Sequence, residues 1–450
     1  MEIKKVLIAN RGEIAVRIIR ACHELDIRAV AVYSTADKDA MHVREADEAY
    51  CIGPVSAEKS YLNVLAILTV ARAACVDAIH PGYGFMAENA DFADACVRAG
   101  FIFIGPTGGA IRCMGDKSQA RVTMMKAHVP VVPGTADLIS TIEEGERAAA
   151  RIGYPVILKA AAGGGGRGMR VIENKMDLEK SLCEATQEAA RNFGNGGIYL
   201  EKYLTHAHHV EIQIMADSYG HVVSLGERDC STQRRHQKVI EESPSPFIDA
   251  RLRRQMSDAA VAAAKAVHYC GAGTVEFIVD DKHTFYFMEM NTRIQVEHGV
   301  SEMVTHTDLV KAQIQVAAGE PLPWTQEDIY LDGWAIECRI NAEDPARGFM
   351  PSPGRIRVYE PPQGEGIRVD SSVYPGCDIS PYYDSMVAKV IVHAPHRAQA
   401  IRRMLEALDS FHIEGIKTNI RLQRNIIASE SFWLGKIDTN YLEGHIDQFI

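Results

Sequence analysis

The chain has 450 residues, 47% of them hydrophobic and 24% charged, enough for several cores and about three domains at roughly 150 residues each. A net charge of -11 disfavours general affinity for nucleic acid or anionic lipid, and no run of about 18 apolar residues marks a membrane span. The ten cysteines are scattered singly from Cys22 to Cys377 without a CxxC pair, which fits reduced thiols in a cytoplasm.

Residues 1–115 alternate β-branched runs with helical patterns: VLIA, EIAVRIIRACHEL, RAVAVYS, DAIHPGYG and FIFIGP. That rhythm predicts an open parallel sheet with crossover helices. Its first turn, ANRGEIA, lacks the dinucleotide fingerprint, and VLIA is cut off by Asn10 and Arg11, too soon for a signal peptide. From about Pro130 to Tyr203 a compact unit follows, with helix TIEEGERAAARIG, strand PVILKAA, the run GGGGRGM, a helix over 177–193 and strand IYLEKY. Its glycine loop and turn-bounded edges predict a lid that moves. The stretch from His209 to about Gly319 holds alternating strands, a basic loop, an Ala-rich helix and a hairpin. After EPLPWTQED a strand-rich tail ends in helices. The fold class is therefore α/β with α+β parts, divided at 1–115, 116–320 and 321–450.

Lys159 stands at the mouth of a loop in which Gly163 to Gly166 and Gly168 can expose backbone N–H groups to polyphosphate oxygens; a flexible hairpin tip is the competing reading. It is not a Walker A loop, since no Lys-Ser/Thr follows the glycines. Further on, GTVEFIVDDKHTFYFMEMN reads as a hairpin. Val279 pairs with Phe285 or with Tyr286, and the second register sets Glu276 opposite Glu289. Opposed carboxylates destabilise a hairpin unless a cation lies between them, which a divalent metal carrying nucleotide phosphates supplies. Alternation then puts Glu289, Asn291 and Arg293 on one face, with Tyr286, Met288 and Met290 on the other. Strand HVEIQIMAD presents His209, Glu211 and Gln213 on one side, by alternation alone a face toward water. The segment ERDCSTQRRHQKVIEE concentrates Arg228, Arg234, Arg235, His236 and Lys238 without interleaved aromatics, which favours a small-anion or nucleotide site over nucleic acid. Its basic neighbours suggest a reactive Cys230.

Together ANRGEIAVRIIRA, HPGYGFMAEN, MGDKSQA, KAAAGGGGRGM, ERDCSTQRRHQKVIEE, EMNTRIQVEH and ECRINAEDP resemble biotin carboxylase of the ATP-grasp superfamily, in order and along nearly the whole chain. The length resembles the free-standing subunit of bacterial acetyl-CoA carboxylase. The resemblance implies an ATP-grasp fold with an N-terminal parallel-sheet domain, a Gly-rich lid and a strand-rich C-terminal domain. It implies ATP contacts from Lys117, Lys159, Gly164, Gly165, Gly166, Glu201, Lys202, Leu204, His209, Gln233 and His236. Glu276, Glu289 and Asn291 would hold Mg²⁺ or Mn²⁺, with both glutamates at the nucleotide. Bicarbonate would meet Lys238, Arg293 and the backbone of Val296, with Glu297 as base, while Tyr83 and Arg339 would lie at biotin and Arg339 would stabilise its enolate-like oxygen. Tyr83 reads equally well as a turn aromatic.

No carrier-type Met-Lys-Met hairpin tip is seen, since VTMMKAHV lies in a helix-like stretch, and a carboxyltransferase domain is not found. The implied partners are a separate biotin carboxyl carrier protein, carboxyltransferase subunits and a second copy of the chain. A different ATP-grasp ligase that makes another acyl phosphate, or a catalytically silent nucleotide-binding subunit, are the rival readings. Where the family pattern continues VEHPV this chain has VEHGV, so Gly299 frees His298 from the restraint of a following proline. That difference predicts a less well preorganised Glu297.

Overall fold

In the computed structural model, which describes residues 2–135, 138–139, 141–160, 169–193 and 197–450, the first strands β1 (Lys5–Ile8), β2 (Arg28–Ser34), β3 (Glu48–Gly53), β4 (Ala78–His80) and β5 (Ile102–Phe103) form a parallel sheet in the order β3-β2-β1-β4-β5. The strands are nearly continuous apolar runs because helices cover both faces. Helix Gly12–Glu24 buries Ile14, Val16, Ile18, Ile19 and Cys22, and its first turn brings Glu13 toward the centre of the molecule.

The next unit pairs β6 (Val156–Ala160) with β7 (Met169–Ile172) and β8 (Ile198–Lys202), all antiparallel. Helices Ile142–Ile152 and Leu178–Phe193 pack on it, and Val156, Leu158, Leu178, Leu182, Ile198 and Leu200 form a core of its own. Thr141 starts the first helix with a reciprocal capping box to Glu144, which satisfies two otherwise orphaned backbone donors.

The largest sheet has eight strands. It contains β9 (His208–Ala216), β10 (Val222–Arg234), β11 (Gln237–Ser243), β12 (Gly271–Val279), β13 (Phe285–Asn291), β14 (Trp334–Asn341), β15 (Ile367–Ser371) and β16 (Met386–Ala394). Their order is β13-β12-β9-β10-β11-β14-β16-β15, so the pairing of β11 with β14 carries one sheet across residue 320. The expected loop 227–242 is thus mostly a hairpin, with Arg235 and His236 at positive φ in its turn. Strand β9 lies between β10 and β12 and is buried along its whole length, so the expectation that His209, Glu211 and Gln213 face water is wrong: their face is an internal polar layer.

The hairpin of β12 and β13 begins in the register Val279–Phe285, the alternative that by itself would not align the two glutamates. A bulge at Met288 then shifts the pairing by one residue and sets Glu276 opposite Glu289. Met288 is consequently half-exposed and lines the cleft with Glu289, although alternation puts it on the opposite face.

Beyond β13 the chain turns through Thr292–Glu297 into helix His298–Thr305, with Gly299 in its buried first turn. A Cβ built on Gly299 would stand 2.3 Å from Ile391 Cδ1 and 3.3 Å from Glu337 Oε2. The glycine is a close approach rather than a loose joint. Gly-to-Ala in a helix ordinarily stabilises by roughly 1 kcal/mol. Overpacking costs about 1–3 kcal/mol, so Gly299→Ala should lower the melting temperature here. Ile391→Val removes the obstructing δ-carbon, and Gly299→Ala/Ile391→Val should recover most of the loss. Thermal melts of the four proteins check this, and strict additivity would show that the two positions do not share space.

Candidate functional site

A cleft of about 1400 Å³ opens between the parallel-sheet domain, the three-stranded unit and the large sheet. Every predicted site residue among those described lines it: Tyr83 and Lys117; Lys159, Glu201, Lys202 and Leu204; His209, Gln233, His236 and Lys238; Glu276, Glu289, Asn291, Arg293, Val296 and Glu297; and Arg339. Gly164, Gly165 and Gly166 lie outside the described residues.

Lys238 is the hub. Its Nζ donates to Glu211 at 2.6 Å, Glu276 at 3.0 Å and Glu297 at 2.6 Å. Strand β11 supplies the lysine, β9 and β12 two of the acids, and the turn after β13 the third, so the ammonium ties together neighbouring pieces of the sheet and the turn. Behind it Arg228 is fully buried and spends its five N–H groups on Glu211, Gln213, Ser301, Thr274 and Gln295. With no donor left, Arg228 fixes the scaffold and does not serve the anion site read from the basic segment. Cys230 beside it is buried, which together with Glu211 pushes its pKa well above the ordinary thiol value. The expectation of a reactive thiol fails, because burial and a carboxylate outweigh the basic neighbours.

Glu297 receives a second cation, the Arg339 guanidinium at 2.8 Å. Burial alone would favour its neutral form; Lys238, then Arg339 and Arg228, override this and hold the carboxyl well below its usual range. Glu297 is clamped by two cations, so a less ordered Glu297 does not follow from Gly299. Arg339 also binds Glu241 at 2.6 Å, yet burial prevails at Glu241 and pushes its pKa up to about 7.

Glu276 accepts from Lys238, Asn291 at 2.8 Å and Gln295 at 2.8 Å, and lies 3.0 Å from His209 Nε2. Burial opposes a charge on His209, but Glu276 raises its pKa. Glu289, directly across the hairpin and open to the cleft, has no hydrogen-bond or ion-pair partner among the described residues, and its pKa is raised by desolvation in the cleft wall and then by Glu276. Glu211 and Glu276 are already neutralised by protein cations, whereas Glu289 is not. An oxygen-liganded divalent cation against Glu289 and Glu276, with Asn291 beside them, fits this unbalanced charge.

At the other end of the cleft Lys159 reaches Glu201 at 2.5 Å, and Arg121 contacts the same carboxylate at 3.3 Å. Lys202 turns its ammonium to the carbonyls of Gly153 and Tyr154. Arg293 meets Glu88 at 3.0 Å and Asn291 at 2.8 Å, while the Tyr83 hydroxyl donates to Glu13. Sequence reasoning missed Glu88, Gln295, Glu241 and Lys389. Only Lys389 carried a signal, as a lone charge in the apolar run MVAKVIVHA.

Family models for the N-terminal domain of biotin carboxylase, the ATP binding domain of the carbamoyl-phosphate synthase L chain and the biotin carboxylase C-terminal domain match residues 2–111, 116–325 and 337–444. Biotin carboxylase 1 of Bacillus subtilis is 59% identical over 98% of either chain. A Campylobacter jejuni biotin carboxylase–beta-gamma-ATP complex superposes with a TM-score of 0.94 at 50% identity, covering 99% of each chain. The biotin carboxylase domain dimer of Hydrogenobacter thermophilus 2-oxoglutarate carboxylase, solved with MgADP, ADP and bicarbonate, gives 0.93 at 50% identity over 100% of this chain and 99% of that one. Sequence, fold and cleft agree that this chain belongs to the biotin carboxylase family, ATP-dependent ligases of the ATP-grasp fold.

Proposed function

We propose that the chain carboxylates biotin on a separate carrier protein at the expense of ATP and bicarbonate, and that the Lys238–Glu297–Arg339 constellation carries the chemistry. Lys117, Lys159 and the Gly164–Gly166 run bind ATP phosphates, Glu201, Lys202 and Leu204 the base, and His209, Gln233 and His236 the sugar side. Lys238, Arg293 and the backbone of Val296 bind bicarbonate. Glu297 takes its proton as an oxygen attacks the γ-phosphorus and ADP leaves, giving carboxyphosphate. Glu297 is a weak base while both cations hold it; bicarbonate or phosphate that draws Lys238 away raises its basicity at the moment it is needed. A Mg²⁺ or Mn²⁺ ion held by Glu276, Glu289 and Asn291 supplies charge neutralisation on the phosphates. Carboxyphosphate then breaks down to CO2 and phosphate, and phosphate takes the ureido proton of biotin. Arg339 stabilises the enolate-like oxygen, and Tyr83 borders the ring. The 130–203 unit, with its own core, closes over the labile intermediate and excludes water.

The functional divisions are 1–115, 116–320 and 321–450. A homodimer within a larger carboxylase complex agrees with the family. The partners are a biotin carboxyl carrier protein and carboxyltransferase subunits, the first half-reaction of acetyl-CoA carboxylase is favoured over carboxylation of pyruvate, another acyl-CoA or urea, and the cytoplasm is the site of action. No helix among the described residues is long and apolar enough to cross a membrane.

Purified protein should hydrolyse ATP in a manner that depends on bicarbonate and is stimulated by free biotin. Turnover indifferent to both sinks the reading in favour of another ATP-grasp ligase, and absence of any turnover favours a silent subunit. Glu289→Gln should raise the Mg²⁺ concentration for half-maximal activity about tenfold, in line with loss of one charged oxygen ligand. A titration showing an unchanged requirement removes Glu289 from the metal site. Glu241 gives a stability signature: its folded-state pKa near 7 lies above the unfolded value, so native stability is lost as pH rises through that interval. Between pH 5 and pH 8 the melting temperature of the wild type should therefore fall relative to that of Glu241→Gln.

A further inference from the structure

Lys389 lies on β16, cross-strand from Arg339 on one side and Asp370 on the other, and is fully buried. Unlike Arg339 it does not reach the cleft. Its Nζ donates to the carbonyl of Val296 at 2.6 Å, one residue before Glu297. Glu13 Oε1 stands 3.4 Å and Asp370 Oδ2 3.6 Å from the same nitrogen. Glu13 Oε1 also accepts the Tyr83 hydroxyl. A continuous polar chain thus runs from Tyr83 in the parallel-sheet domain, through Glu13 and Lys389, to the backbone of the segment that carries the base.

We propose that Lys389 is a positioning residue that sets the Val296–Glu297 segment for bicarbonate, and that Glu13 links this segment to Tyr83. The inference rests on the assignment of bicarbonate and biotin given above. Three features carry it. A fully buried ammonium is costly, and replacing buried ionic groups by apolar ones often leaves a fold no less stable, so packing alone gives little reason for a lysine here. Its hydrogen bond goes to a main-chain carbonyl, which fixes the peptide plane between Val296 and Glu297 and with it the direction of the Glu297 carboxylate. The opposite side of the same turn is held by Arg228 through Gln295 and Ser301, so Lys389 completes a two-sided grip. Glu13 and Asp370 beside the ammonium outweigh burial and keep Lys389 charged.

The chain also gives a route for coupling. Biotin that displaces or reorients the Tyr83 hydroxyl changes what Glu13 presents to Lys389, and the Val296 carbonyl feels the change. Occupation of the biotin end is thereby reported to the bicarbonate end without a shared ligand contact.

Steady-state ATP hydrolysis by the full chain at saturating biotin tests this. Lys389→Met should raise the bicarbonate KM at least tenfold while the ATP KM stays within twofold, and Glu13→Gln should raise the bicarbonate KM several-fold. Adding Glu13→Gln to Lys389→Met should change little further, because the link is already cut. Amide hydrogen exchange in 294–300 should quicken in Lys389→Met while β13 is unchanged. An unchanged bicarbonate KM, or ATP and bicarbonate KM values that rise together, overturns the proposal. If Lys389→Met does not fold, Glu13→Gln decides alone: an unchanged bicarbonate KM overturns it, and a selective rise supports it. A wild type with no bicarbonate-dependent turnover instead removes the functional assignment on which the proposal stands.

Discussion

One ammonium among three carboxylates organises the centre of the molecule. Lys238 brings Glu211, Glu276 and Glu297 within hydrogen-bond range of a single nitrogen, and each acid reaches it from a different segment. None of these carboxylates tolerates burial without a cation, and the lysine tolerates it only with them. The strand order of the large sheet, the bulge that aligns the hairpin and the turn after β13 all meet this requirement. Binding of anionic substrates therefore redistributes an existing charge balance rather than creating one.

The arrangement separates two kinds of cation. Arg228 is saturated by protein acceptors and acts as a fixed strut, whereas Lys238, Arg293 and Arg339 line the cleft and each has a partner there, Glu297 or Asn291. For Arg228 five directed N–H groups lock several side chains at once. The paired acids follow the same division: Glu276 is embedded in protein donors, whereas Glu289 has none among the described residues.

Much of this was legible in the residues. Alternating β-branched and helical runs disclose the parallel sheet, and the opposed glutamates of the hairpin point to a cation by residue chemistry alone. What period-two reasoning cannot see is an inserted residue, and Met288 is one; the two glutamates face each other by a register that mixes both alternatives. It also cannot tell a polar face in water from one buried under other strands, as on β9, and a count of basic neighbours cannot show the burial that raises the Cys230 pKa. Gly299 shows the same limit. A missing side chain reads as freedom along the chain, but in space it is the room taken by Ile391.

The pairing of β11 with β14 has a consequence for dissecting the molecule. Since the pairing of β11 with β14 joins strands from either side of residue 320, a fragment ending there would keep β9 to β13 yet bare β11 as an unprotected edge. Its free backbone donors and acceptors would invite strand addition from other chains. The tail thus seals an edge that the strands before residue 320 would otherwise present to solvent.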